Sequence, residues 1–125
     1  MKKILLSNKA PQPIGPYSQS VGFDNLVFTS GQVGLGLDGK LVSDDVKGQT
    51  KKTLENLKSI LDDNGSSLEN VIKSTVYLRD MKDFTQMNEV YKEFFQSSFP
   101  ARSTVAVLGL PLDAKVEIEV IAFKN

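Results

Sequence analysis

The chain has no cysteine, no histidine and no tryptophan. Without cysteine there is no disulfide, no thiolate metal site and no thiol nucleophile. Without histidine, the usual zinc sites and the Ser-His-Asp machinery fall away as well. Charge of one sign is also missing: 15 Lys and Arg balance 15 Asp and Glu. A neutral chain lacks the basic excess expected of a protein that binds nucleic acid or a membrane surface. Long apolar runs are absent too. The start, MKKILLSNKAPQP, holds only the short run ILL, against about 7–15 residues in a signal-peptide core. No stretch approaches the roughly 20 apolar residues of a membrane span. The expected location is the cytoplasm. Any catalytic groups must be carboxylates, Arg, Lys, Tyr, hydroxyls or backbone.

What is present fits one domain over residues 1–125, with 40% hydrophobic and 24% charged residues. Ala10 to Tyr17 packs three prolines and a glycine into eight residues, a shaped non-helical loop. Ser18–Val21 and Leu26–Ser30 flank Gly22-Phe23-Asp24-Asn25, which reads as a hairpin with a four-residue turn. Gly31 to Lys40 is studded with glycine, yet no helix opens directly after it, so the phosphate-loop reading is weak and the segment is expected to be a loop.

Asp44 or Asp45 caps an expected helix to about Asn64, with Val46, Thr50, Thr53, Leu54, Leu57 and Leu61 on its inner face. Asn64-Gly65 ends it, and Ser66 to Glu69 has the capping-box pattern for a further turn. Val71–Leu78 is a strand. Asp83 and Gln86 open a second helix to about Phe95, with the stripe Phe84, Met87, Asn88, Tyr91, Phe94 and Phe95. Strands at Ser103–Leu108 and Lys115–Phe123 complete a ββαβαββ order. The fold class is α+β, a mixed sheet with two helices on one face. The uncovered face, rich in Val, Ile and Phe, must meet water or another subunit, and an oligomer is expected.

Several residues break the local pattern. Asn88 lies inside an apolar helical stripe, either as a structural hydrogen bond from helix to loop or as a group that orients a loop at a site. Glu117 and Glu119 share one face of a strand, about 7 Å apart. They are either a solvated strand edge or a pair in which burial raises one carboxylate for proton handling. Tyr17 ends the proline loop, where packing with a satisfied hydroxyl is the ordinary role. Ser30-Gly31 marks a turn or bulge, or a place where a ligand nears the backbone. Arg102 has no acidic neighbour along the chain; it is an exposed cation or a fork held ready for a carboxylate.

Four ordered motifs, Ile14-Gly15-Pro16-Tyr17-Ser18-Gln19, Thr29-Ser30-Gly31-Gln32, Phe99-Pro100-Ala101-Arg102-Ser103 and Val116-Glu117-Ile118-Glu119, resemble the RidA (YjgF) family of reactive-intermediate deaminases. The resemblance spans nearly the whole chain. It implies a chorismate-mutase-like fold, a homotrimer with clefts between subunits, and hydrolysis of 2-imino acids such as 2-iminobutanoate and 2-iminopropanoate to 2-keto acids and ammonia. The proposed reaction needs no cofactor or metal, and no nucleic-acid or membrane partner is expected. By position the resemblance places the carboxylate-gripping arginine on Arg102, the water-handling glutamate on Glu117 and the cleft tyrosine on Tyr17. Ser30, Gly31 and Asn88 fall on positions that line or support the cleft. Thr104 stands where many members carry cysteine, in a place where the family uses the backbone; thiol chemistry tied to that cysteine is not expected. Two other readings accompany the deaminase: a binding module that holds a keto or amino acid in the same cleft, and an RNA-directed activity, which the zero net charge disfavours.

Overall fold

The computed structural model describes residues 1–125. Alternation of apolar and polar residues makes the strands, and three-four spacing makes the helices. The order is β1 (Lys3–Leu5), β2 (Ser20–Phe23), β3 (Leu26–Thr29), α1 (Val46–Asp63), β4 (Val71–Leu78), α2 (Phe84–Phe94), β5 (Ala101–Ala106) and β6 (Val116–Phe123). One six-stranded sheet runs β1-β2-β3-β6-β4-β5. All its pairings are antiparallel except β4 with β5. That parallel pair needs a crossover, and α2 supplies it.

The helices pack on each other and on one face of the sheet. Val76, Leu78, Val116, Ile118 and Val120 from the sheet meet Leu54, Leu57, Leu61 and Met87 from the helices in a single core. The inner face of α1 also buries four polar residues. Thr50 and Thr53 donate their hydroxyls back to the Val46 and Gln49 carbonyls, which satisfies them inside a helix. Gln49 accepts from the Lys115 amide at the entry to β6. Asn56 donates to the Leu35 carbonyl, pinning the glycine-studded loop against the helix.

The structure refines the sequence expectations at several points. β1 is an addition to the expected order, because three residues at a sheet edge carry no readable period. The hairpin turn is Asp24-Asn25, with Phe23 opposite Leu26, not four residues. Asp24 takes a left-handed φ of 50°, which aspartate tolerates well. Asp45 caps α1 by accepting from the Gly48 amide at 2.7 Å, and Gly65 turns at φ 81°. The capping boxes at Ser66–Glu69 and Asp83 do not form; Ser66 instead donates to the Phe123 carbonyl, and Asp80 accepts from the Lys82 amide one turn before α2. β5 begins at Ala101, so Arg102 lies within a strand. β6 is central rather than an edge.

The sheet face opposite the helices carries a cross-strand apolar row of Ile4, Val21, Phe28 and Ile121, with Phe23 and Phe123 close by and both more than a third exposed. No helix of the chain is long and apolar enough to cross a membrane.

Gly34 is required by packing. A Cβ there would sit 2.7 Å from the Gln49 carbonyl oxygen on α1. Gly34→Ala is expected to destabilise the chain by about 1–3 kcal/mol. Gly109→Ala, which meets open space, should stay within about 0.5 kcal/mol of the wild type. Denaturant titration of both variants checks the difference.

Candidate active site

The sheet divides the singled-out residues into two groups. Successive residues of a strand point to opposite faces. Arg102 and Thr104 pair with Ser74 and Val76, which are fully buried under the helices. Glu117 pairs with Tyr77 and points to the open face. Within one chain the arginine and the glutamate are therefore on opposite sides of the same sheet.

On the open side, a cavity of about 330 Å³ is lined by the proline loop, Tyr17, Gly31, Gln32, Leu112 and Glu117. Gln19, buried to 1% exposure, shapes its wall by donating to the Ser7 and Pro11 carbonyls and accepting from the Ser7 amide. Gly15, at φ 126°, then turns the chain so that Tyr17 stands half-exposed at the cavity, rather than packed with a satisfied hydroxyl. Ser30 uses both its donors on the loop: its hydroxyl donates to the Ser18 carbonyl at 2.5 Å and its amide to the Gln19 carbonyl. It braces the wall and offers the cavity no free proton.

Gly31 admits the Glu117 side chain. A Cβ at residue 31 would come within 2.7 Å of the Glu117 carboxyl carbon. Glu119 accepts a hydrogen bond from the Tyr77 hydroxyl at 2.9 Å, whereas Glu117 has no such partner. Burial, and secondarily the charge of Glu119, pushes the Glu117 carboxyl above its ordinary range. Leu112, which lines the same cavity, and Asp113 after it both adopt left-handed φ near 60°, an unfavourable state for a leucine. Arg79 clamps the turn, donating to the Asp113 carbonyl and pairing with its carboxylate at 2.9 Å.

On the helix side, Arg102 lines a depression with Asn88, Tyr91, Lys92, Phe99 and Pro100. Its Nη1 donates to Asn88 Oδ1 at 2.7 Å, and its guanidinium carbon lies 4.7 Å from the Tyr91 ring centre and 5.6 Å from that of Phe84. No carboxylate lies within ion-pair distance of it. Tyr91 is itself fixed by a 2.7 Å hydrogen bond with Ser74. The hydroxyl of Thr104 is buried and has no partner.

Six of the seven residues singled out for chemistry thus border one of the two cavities or its wall: Tyr17, Ser30, Gly31 and Glu117 on one side, Arg102 and Asn88 on the other, with Thr104 two residues along β5 from Arg102. Sequence reasoning misses Gln19 and Leu112, and assigns Tyr91 and Phe84 to the core alone. A polar residue between two serines at a strand start is the available signal for Gln19; nothing local marks Leu112.

A sequence model described as endoribonuclease L-PSP matches residues 7–124. The chain belongs to this family, known also as YjgF or RidA. It is 50% identical to a RutC family protein of Pyrococcus horikoshii over the full length of both. It is 47% identical to the 2-iminobutanoate/2-iminopropanoate deaminase of Mus musculus, over 100% of this chain and 93% of that one. E. coli TdcF, solved with bound serine, superposes with a TM-score of 0.93 at 44% identity, covering 98% of this chain and 99% of TdcF. YjgF/RidA membership thus agrees with the four motifs, and the neighbours share the two-helix, six-strand architecture.

Because the folded chain holds the Glu117 proton to higher pH than the unfolded chain, stability declines as pH rises through the interval between the two pKa values. Glu117→Gln removes that term. It should unfold at a higher temperature than the wild type at neutral pH, with the gap closing toward about pH 4. Thermal melts across that range test the sign.

Proposed function

We propose that the protein hydrolyses 2-imino acids, of the 2-iminobutanoate and 2-iminopropanoate type, to 2-keto acids and ammonia. The observation that carries this reading is Glu117: a half-buried carboxylate of raised proton affinity, with no hydrogen-bond donor to it, facing a cavity. Relatives named as deaminases of these imines, at 42–47% identity, support it.

Arg102 grips the substrate carboxylate with parallel charge-assisted hydrogen bonds. That fixes the C=N carbon, already electrophilic when its nitrogen is protonated. Glu117 takes a proton from water as the new C–O bond forms. It returns that proton to the nitrogen; as the C–N bond breaks, the added hydroxyl becomes the keto carbonyl, and its proton passes to Glu117 and leaves with ammonia as ammonium. Tyr17 and the Gly31 backbone line the approach; the backbone at Thr104 flanks the arginine. Free imines hydrolyse unaided, so positioning and one general base, worth roughly 10²–10⁴-fold, meet the demand.

Since Arg102 and Glu117 lie on opposite faces of one sheet, each site joins the arginine of one copy to the glutamate of another. The apolar row on the open face and the unpaired edge of β5 suit such contacts, and a homotrimer is the expected assembly, in the cytoplasm. Arg102 and Lys92 are the cations lining the two cavities, a provision for a small carboxylate rather than a run of phosphates.

The test couples a threonine dehydratase to this protein and follows keto-acid formation while semicarbazide competes for the imine. Wild type should outcompete the trap, and Arg102→Ala and Glu117→Gln should each lose about 100-fold or more. Subunits of the two inactive variants, mixed in equal amounts and reassembled, should recover about one quarter of wild-type activity, because one interface in four then pairs an intact arginine with an intact glutamate. Recovery of nothing would place both groups in one chain's site. Equal rates for wild type and Arg102→Ala would leave only a cleft that binds keto or amino acids, the use to which TdcF's bound serine points.

A further inference from the structure

Arginine in a half-buried setting normally has an acidic partner. Arg102 has Asn88 instead, reached across from the middle of an otherwise apolar helical face, and two aromatic rings. Each of these partners is electrically neutral. The amide oxygen takes one hydrogen of Nη1, and the two rings pack against the guanidinium. The other N–H donors of the guanidinium have no acidic partner, and its planar fork is shaped to match a carboxylate.

We infer that Asn88 is a positioning residue whose neutrality is its function: it anchors the Arg102 fork without discharging it, so that the guanidinium keeps its full attraction for an anionic substrate. An aspartate at residue 88 would have almost the same shape and reach. It would also convert the anchor into an ion pair and compete with the substrate carboxylate for the same charge. The Ser74 hydroxyl completes the arrangement by holding the Tyr91 ring beneath the guanidinium. The inference rests on the reading that Arg102 binds a carboxylate, and its test separates the two.

Binding of 2-ketobutanoate, the deaminated product, is measured by titration calorimetry for wild type, Asn88→Asp and Asn88→Ser, alongside thermal melts and steady-state kinetics. Asn88→Asp should weaken keto-acid binding by roughly 10- to 100-fold and raise KM more than it lowers kcat, while melting no lower than wild type. Asn88→Ser, which loses the anchor but leaves the charge unpaired, should weaken binding by only a few-fold. A merely structural role for Asn88 gives the reverse order, since aspartate preserves the shape and serine does not. Wild-type affinity in Asn88→Asp, a greater loss in Asn88→Ser, or failure of Asn88→Asp to fold would each overturn the inference. If wild type binds no 2-keto acid, the carboxylate reading falls and the inference with it.

Discussion

The alternation of the central strand β6 is the constraint on which the rest depends. Val116, Ile118, Val120 and Ala122 are buried under the helices, and that burial is what drives the strand to the middle of the sheet. Its other face then has no choice but to present Glu117, Glu119, Ile121 and Phe123 away from the core. A register slip of one residue would bury two carboxylates and expose four core side chains. The hydrophobic core and the placement of the glutamate are therefore one decision, taken by the same eight residues.

The same alternation, carried across the sheet to β5, sends Arg102 to the opposite side. Each charged group then meets a different environment. Glu117 is half-buried against a glycine, with a second carboxylate nearby, and both circumstances favour its protonated form. Arg102 rests on aromatic faces and an amide oxygen, which stabilise a cation without neutralising it. On one side burial raises the proton affinity of a carboxyl, and on the other a cation stays unneutralised. Both suit the proposed hydrolysis of an imine with a bound carboxylate, and neither group can use the other within a single chain.

Much of the architecture is legible in the amino-acid pattern. α1, β4 and α2 follow from periods that persist over two or more turns or several alternations, and the ends of α1 carry Asp45, Asn64 and Gly65. Short pieces are not legible. β1 is held by pairing with β2 rather than by a pattern of its own, and the hairpin turn depends on Asp24 accepting a left-handed conformation. Polar residues on the buried side of α1, Gln49 and Asn56, have the chemistry of solvent-facing positions. They are buried because loops and the start of β6 bring carbonyls and an amide to them, partners far away in sequence.

For the site, residue chemistry and motif order single out Arg102, Glu117, Gly31, Tyr17 and Asn88 from the chain alone. Composition also removes thiol and histidine chemistry. What the sequence by itself determined was thus the chemical inventory and the strand alternation that assigns each side chain to a face, since both are local properties. Only the tertiary structure decided the environments: the clearance over Gly31 that admits Glu117, the strained turn that brings Leu112 to the same cavity, and the neutral partners of Arg102. The clearance over Gly31 joins residues 86 positions apart and the Asn88–Arg102 hydrogen bond residues 14 apart, and no local pattern encodes a contact whose other half arrives from a distant segment.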